Sequence, residues 1–315
     1  MPEFSLLEEE KDMKIKKLAA LLLAGVMTLS LMACSVEGEG SSSSDEAEGG
    51  NGSIGLAVST LSNPFFVDLA DGAEAKAEEL GVEIYVTDAG DDAAVQTSNV
   101  EDLISKEISV LIVNPVDSDA IAPAVETAIE KGIKVIAVDR VVNGVEVDCS
   151  IASDNVMGAE LATEYLVELV GEGAEVVELQ GTTGSSATND RGEGFHNIAD
   201  EKLNVVDSQT ASFDRAEGMT VMENLLQAHP GVKGVFAHND EMALGALEAC
   251  SGKDIVIIGF DATDDALAAV EAGTLAATIA QKPDLMGATA VETAIKLING
   301  ETVEKELPVE VELVK

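Results

Sequence analysis

Asn63, Asn114, Asp139-Arg140, Asn239-Asp240, Asp261 and Gln281 share one placement: each follows a short apolar run, directly or across a brief loop. Amides, carboxylates and guanidiniums each present adjacent hydrogen-bonding groups, which match the spacing of vicinal hydroxyls. The charges at issue, Asp139 and Asp261 against Arg140 and Arg191, balance. A balanced set suits a neutral polyol, whereas a phosphorylated ligand would want surplus cation or a glycine-rich cradle. A zwitterionic amino acid also fits two arginines and two aspartates. Phe65 adds a flat apolar wall for C–H faces. A single one of these polar residues reads equally well as a turn former or helix cap. Their recurrence points to a ligand cleft instead.

Other motifs carry less. Gly181-Thr182-Thr183-Gly184-Ser185-Ser186 follows an apolar run but contains neither a phosphate-loop lysine nor a nucleophile elbow. Gly171-Glu172-Gly173 precedes its strand, so the dinucleotide fingerprint fails. His196, His229 and His238 share no metal-ligand spacing, and His238 is expected to shape the Asn239 loop. No cofactor or metal is expected.

The positioning elements follow from periodicity. Ile54–Val58 reads as a buried strand, and Asn63-Pro64 opens a helix because Asn caps well and Pro fits the first helical position. Phe66, Leu69, Ala73, Ala77 and Leu80 fall on one stripe, with Gly81 at the terminating position; Phe65 lies off the stripe, toward the ligand side. Further strands read at 83–87, 110–113, 134–138, 175–179, 204–207, 234–237 and 255–259, with helices between. This alternation predicts an α/β fold of two similar doubly wound parallel-sheet lobes, linked near Cys149–Asn155, with a ligand cleft between them.

A formal net charge of −41, from 59 acidic against 18 basic residues, opposes nucleic-acid binding and attraction to anionic lipid and reads as a solvated acidic surface. Aromatics make up only 3% of the chain, so each ring is informative. Cys149 and Cys250 sit in or beside apolar runs and read as small buried residues, which leaves open whether they meet. The acidic stretch 1–12 is unlike an export signal, but Met13 begins one: Lys14, Lys16 and Lys17 precede a mostly apolar run from Leu18 to Met32. Leu31-Met32-Ala33-Cys34 resembles a lipoprotein cleavage box, so Cys34 is the candidate lipidation site and 35–52 a flexible Ser/Gly/Glu tether.

The stretches VSTLSNPFF, Val113–Ala120, VDR at 138–140, IASDN at 151–155, ELQG at 178–181, RGEGF at 191–195, FDR at 213–215, NDEMALGAL at 239–247, GFD at 259–261 and ATIAQ at 277–281 resemble the bacterial ribose-binding proteins. The likeness runs from about Ser53 to the C-terminus. It implies the two-lobed periplasmic sugar-binding fold, a non-enzymatic monomer that delivers ribose or a similar monosaccharide to the permease of an ABC importer. It implies an extracytoplasmic location and is compatible with presentation to a membrane chemoreceptor. The family's sugar contacts fall on Asn63, Phe65, Phe66, Asn114, Asp139, Arg140, Arg191, Phe213, Asn239, Asp261 and Gln281. Before Arg191 the chain departs from the family, with Thr188-Asn189-Asp190 where small and basic residues are usual. The resemblance also implies a first lobe of 53–153 plus 282–310, a second of 154–281 plus 311–315, and a three-segment hinge near 153–154, 281–282 and 310. A sugar-responsive repressor shares this architecture but would need a basic helix-turn-helix headpiece where this chain has an export signal.

Overall fold

The computed structural model describes residues 52–315. The export signal, Cys34 and all but the last residue of the tether lie outside the described residues.

Sequence order alternates strand and helix: β1 (Ile54–Val58), α1 (Pro64–Leu80), β2 (Ile84–Asp88), α2 (Ala93–Ser105), β3 (Val110–Val113), α3 (Ala122–Glu130), β4 (Lys134–Val138) and β5 (Cys149–Ser153). Then come α4 (Asn155–Val170), β6 (Glu175–Gln180), α5 (Ser186–Lys202), β7 (Asn204–Thr210), α6 (Arg215–Ala228), β8 (Gly234–Ala237) and α7 (Asp240–Ala249). The chain finishes with β9 (Val256–Ile258), α8 (Asp264–Glu271), β10 (Thr278–Ala280), α9 (Pro283–Ile298), β11 (Glu306–Val309) and β12 (Glu312–Val314).

The first sheet is parallel throughout, in the order β11-β5-β4-β3-β1-β2, and the second runs β7-β6-β8-β9. Bridges at Ile258–Ala277 and Asp261–Ala280 carry the second sheet on to β10, which pairs antiparallel with β12. Both sheets thus place their second strand outside their first and then count outward on the other side, so each reverses direction at one point. Crevices at such reversals, beyond the strands' carboxyl ends, are where open α/β sheets bind ligands.

Continuous aliphatic runs explain the sheets. Every residue of β1 and β3 is buried, because helices cover both faces. Separate apolar clusters fill the two sides of each sheet. Across one of them α1 meets α9 closely at Gly72 and Gly287, where a Cβ would run into the backbone of Asp284 and of Leu69.

The corner after β1 forms as the sequence indicates. Asn63 caps α1 by accepting from the Phe65 amide at 3.0 Å, Pro64 opens the first turn, and Gly81 closes the helix at φ 66°. Leu80 departs from expectation: it is exposed. The link expected near 149–155 falls at the end of that stretch: Cys149–Ser153 forms β5, which pairs with β4 and β11, and the chain leaves the first sheet directly after it. The residues of β5 alternate between buried and half-buried. Cys149 belongs to a core of the first sheet and Cys250 to one of the second, and both are free thiols. The chain passes between the sheets after β5, after β10 and after β11.

Loops from the two halves touch. Ser118 donates its amide to Gly184 O at 3.0 Å, and its hydroxyl accepts from the Ser186 amide at 3.3 Å. The Ser186 hydroxyl in turn accepts from the Val141 amide at 3.1 Å.

Candidate functional site

On the first-sheet side, the carboxyl ends of β1, β3 and β4 supply the groups. Asn114 is fully buried, and its Oδ1 accepts from the Ser59 amide at 3.1 Å. Its Nδ2 donates to Asp139 Oδ2 at 3.0 Å and to Val138 O at 3.3 Å. Gln96 clamps the same turn, donating to Asn114 O at 2.7 Å and accepting from the Val116 amide at 2.8 Å. Arg140 Nη1 donates to Pro115 O at 2.8 Å, while Nε lies 3.5 Å from Asp139 Oδ2 without a hydrogen-bond partner. The guanidinium stands 5.0 Å from the Phe66 ring, which meets Phe65 edge to face at 5.1 Å.

On the second-sheet side, Arg191 of α5 is the centre. Its Nε donates to Asn155 Oδ1 at 2.9 Å and its Nη1 to His238 O at 2.6 Å. It lies 3.6 Å from Asp261 Oδ1 and 3.8 Å over the Phe260 ring. Asn239 caps α7 by accepting from the Met242 amide at 3.0 Å and donates to Phe213 O at 3.2 Å. The Phe213 ring stands 5.3 Å from the Arg140 guanidinium and 5.9 Å from that of Arg191. Gln281 donates to Asp261 Oδ1 at 2.7 Å, and its Oε1 is buried without a partner.

A narrow space of about 10 Å³ lies between the two halves, walled by Asn63, Phe65, Phe66, Asp139, Arg140, Ala187, Arg191, Phe213, Asn239 and Asp261. Two of the residues singled out above stand back from that wall: Asn114 lies behind Asp139, and Gln281 behind Asp261, facing a neighbouring cavity edged by Asp68, Asp71 and Asp284. Asp139, Phe213 and Asp261 have φ of 64°, 62° and 123°. Such conformations cost on the order of 1–3 kcal/mol each and persist where the surroundings over-determine them. Here the Asp139 and Asp261 amides are each pinned at 2.7 Å, to Ile151 O and Ile279 O.

Burial dominates the electrostatics. It pushes Asp139 up against the opposing pull of Arg140 and Arg191. It also pushes Asp261 well up, against Arg191 and with help from Asp240. Arg140 is lowered by the same loss of solvent, with Asp139 opposing. Two cations and two carboxylates therefore share a nearly dry space. Such a site offers strong, directed hydrogen bonds to a neutral ligand and no net attraction for a charged one.

Several supporting roles escape a reading of the sequence. Asp240 is fully buried, accepts from the Thr263 amide at 2.8 Å and the Thr278 hydroxyl at 2.7 Å, and so fixes the Asp261 loop. Its place beside Asn239 was visible, but its partners lie on β10 and the loop before α8. Asn155 and Phe260 stand within the quoted IASDN and GFD, where nothing marks them as partners of Arg191. Glu178 and His238, at 2.8 Å, are joined only by the fold.

Residues 54–302 match the model of the periplasmic binding protein domain. The chain is 50% identical to the ribose import binding protein of Bacillus subtilis, over 89% of this chain and 94% of that protein. It is 47% identical to the Escherichia coli ribose import binding protein, over 96% and 99%. Among solved structures, an ABC transporter solute binding protein from Bacillus halodurans with bound myo-inositol superposes with a TM-score of 0.81 at 34% identity, covering 85% of this chain and 96% of that one. With a matched model over most of its length and relatives alike from end to end, the chain belongs to the periplasmic binding protein domain family.

Proposed function

We propose that this chain is the extracytoplasmic binding protein of an ABC sugar importer, which captures D-ribose between its lobes and hands it to the membrane permease. The reading rests on one observation above all. A charge-balanced set of paired hydrogen-bonding groups, flanked by Phe65, Phe66 and Phe213, surrounds a single space and is drawn from both sheets. The names of the relatives at 47–50% identity support ribose in particular. Asp139, Arg140, Arg191, Asn239 and Asp261 hold the sugar hydroxyls, with Asn63 on the first-lobe side, while Asn114 and Gln281 support Asp139 and Asp261 from behind. The rings cover the sugar's C–H faces. No residue acts as a nucleophile or general base; the work is binding.

Closure is the mechanism. Neither half alone can satisfy a ring of hydroxyls, so ligand favours the arrangement in which both reach it. The three passages between the sheets, near 153–154, 281–282 and 310, serve as the hinge between a lobe of 53–153 plus 282–310 and one of 154–281 plus 311–315. Contacts such as Ser118 to Gly184 and Ser186 belong to the closed form. The permease reads that form, and a chemoreceptor is a further partner of the same surface. Export directed by 13–34 and lipidation at Cys34 tether the monomer to the outer face of the membrane through the linker.

Calorimetric titration with ribose, other pentoses, hexoses, myo-inositol and amino acids tests the ligand. Ribose is expected to bind most tightly, and 2-deoxyribose more weakly because it leaves buried groups unpaired, by about 1–3 kcal/mol. Equal binding of the two would defeat the hydroxyl reading. A second reading, a neutral cyclic polyol such as myo-inositol, has support from the Bacillus halodurans neighbour; a preference for inositol over ribose would establish it. Small-angle scattering with and without ribose tests closure, and mass spectrometry of the mature N-terminus tests lipidation at Cys34.

A further inference from the structure

Behind Arg191 lies a buried polar cluster that no ligand contact uses. Glu178 stands on β6, an interior strand of the second sheet, and both it and His238 are wholly shielded from solvent. Glu178 Oε1 is 2.8 Å from His238 Nε2. Its Oε2 accepts from Gln180 Nε2 at 2.9 Å and lies 3.4 Å from His196 Nε2. His196 is held from its other side by Asp200, at 2.8 Å from Nδ1.

The tautomer of His238 follows from its neighbours. Its Nδ1 faces the Gly181 amide at 3.4 Å, and an amide N–H only donates. Nδ1 must therefore accept, so Nε2 carries the proton and donates it to Glu178. The charge states agree. Burial pushes His238 down, although Glu178 opposes. Burial would push Glu178 up, but His238, Ser208 and His196 together hold it below the ordinary range. The pair is thus a carboxylate and a neutral imidazole. His196 differs: burial works against its charge, yet Asp200 and Glu178 prevail and raise it.

Several groups of the cleft adjoin His238. The His238 carbonyl accepts from Arg191 Nη1 at 2.6 Å. Gly181, which the ring holds by its amide, lies against Phe213; a Cβ there would run into the phenyl ring. Asn239, the next residue, donates to Phe213 O at 3.2 Å.

We propose that His238, anchored by Glu178, is a positioning residue that holds Arg191, Phe213 and Asn239 in their binding arrangement, and that its protonation loosens them. This rests on the reading of those three as ligand contacts. A proton on Nδ1 would set donor against donor at Gly181, so the ring and that turn must part. The charged and titratable groups facing the ring are Glu178 from β6 and Arg191 and His196 from α5. Asp139 and Asp261 also titrate within the cleft, so the test compares variants of His238 rather than reading one pH curve.

The chain contains three arginines, Arg140, Arg191 and Arg215, so arginine-selective ¹⁵N labelling of the intact protein gives few Nε–H signals, with that of Arg191 assigned by its loss in Arg191→Lys. His238→Gln keeps one donor and one acceptor but does not titrate; His238→Leu keeps neither. From about pH 7.5 to about pH 4.5, the parent's Arg191 signal is expected to move further than that of His238→Gln, which keeps only the shift that Asp139 and Asp261 cause, and that of His238→Leu to be displaced throughout. Ribose affinity should follow: His238→Gln within about twofold of the parent at about pH 7.5 and retained in acid where the parent weakens, and His238→Leu weaker by about tenfold or more. An unmoved Arg191 signal in His238→Leu, or an acid loss in His238→Gln equal to the parent's, would overturn the proposal. Should His238→Leu fail to fold, the parent against His238→Gln still decides. Should the parent bind no ribose, that reading fails while the ligand-free Arg191 signals still judge this one.

Discussion

The two halves of the cleft solve the same problem differently. In the first, Asp139 and Arg140 are adjacent in sequence, and their supports, Asn114, Pro115 and the Ser59 amide, all lie within the first few residues beyond β1, β3 and β4. In the second, Arg191 sits on a helix and its partners Asn155, His238 and Asp261 come from three other elements. Behind them stand buried ionisable groups, Glu178, His238 and Asp240, which have no counterpart among the contacts described on the first side. A site wall made from strand ends is as rigid as its sheet. A wall made from a helix and several loops depends on whatever locks those elements together, and here the locks titrate.

Removing the central charge from either half should have the largest effect. Asp139→Ala strips a buried partner from Arg140 and Asn114, and Arg191→Ala does the same to Asp261; each is expected to cost roughly 2–5 kcal/mol of ribose binding, or about 30- to 5,000-fold. Arg191→Ala should also lower the thermal unfolding midpoint more than Asp139→Ala, since it unties three elements. Equal midpoints, by calorimetry, would erase the contrast drawn between the halves.

A difference in pH response comes next. Burial raises Asp240 to about 7, with Thr278 and Thr263 opposing. The folded chain then keeps a proton that the unfolded chain releases near the ordinary value of about 4. Stability from this group therefore falls as pH rises from about 4 to about 7 and is level above that. Asp240→Asn should flatten the fall in midpoint across that window relative to the parent. An unchanged slope would show that Asp240 ionises normally.

Smaller still is the contact where the halves touch. Ser118→Ala deletes the hydroxyl that accepts from Ser186, a neutral hydrogen bond worth about 0.5–1.5 kcal/mol, so ribose affinity should drop by about 2- to 12-fold with the unfolding midpoint nearly unchanged. An unaltered affinity would separate this contact from closure. The smallest effect is expected from salt. With a net charge of −41, added NaCl should raise the ligand-free midpoint as screening shortens from about 10 Å at 0.1 M to about 3 Å at 1 M. A flat response would mean that the acidic surface is already well spaced.

Much of this arrangement could be read in advance, and the limits are instructive. Strands such as Val110–Val113 and Lys134–Val138 were plain because an aliphatic run buried on both faces leaves little alternative. β5 was missed because Cys149–Ser153 is short and carries serine at two of its five positions, so it resembles a linker. The short strands β10 to β12 pair only across long sequence gaps, which no local pattern encodes. In the site, side chains at strand ends announced themselves by position. Glu178 did not: within Glu175–Gln180 an acidic residue looks like the solvent face of a strand, and only the fold brings His238 against it.

The threading of β11 into the first sheet and β12 beside β10 bears on the order in which the protein takes shape. Strands β6 to β10, with α4 to α8, occupy one unbroken stretch, so the second sheet needs only its short β12 edge from elsewhere. The first sheet must wait for α9 to cover α1 and for β11 to close its edge, contacts that span most of the described chain. Long-range closures of that kind are slow to form. During synthesis, which proceeds N-terminal end first, the half that emerges first is therefore the half that finishes last, and β1 to β5 must remain soluble with one helical cover absent until the final strands arrive. A strongly acidic surface, repelling other unfinished chains, is well suited to that interval.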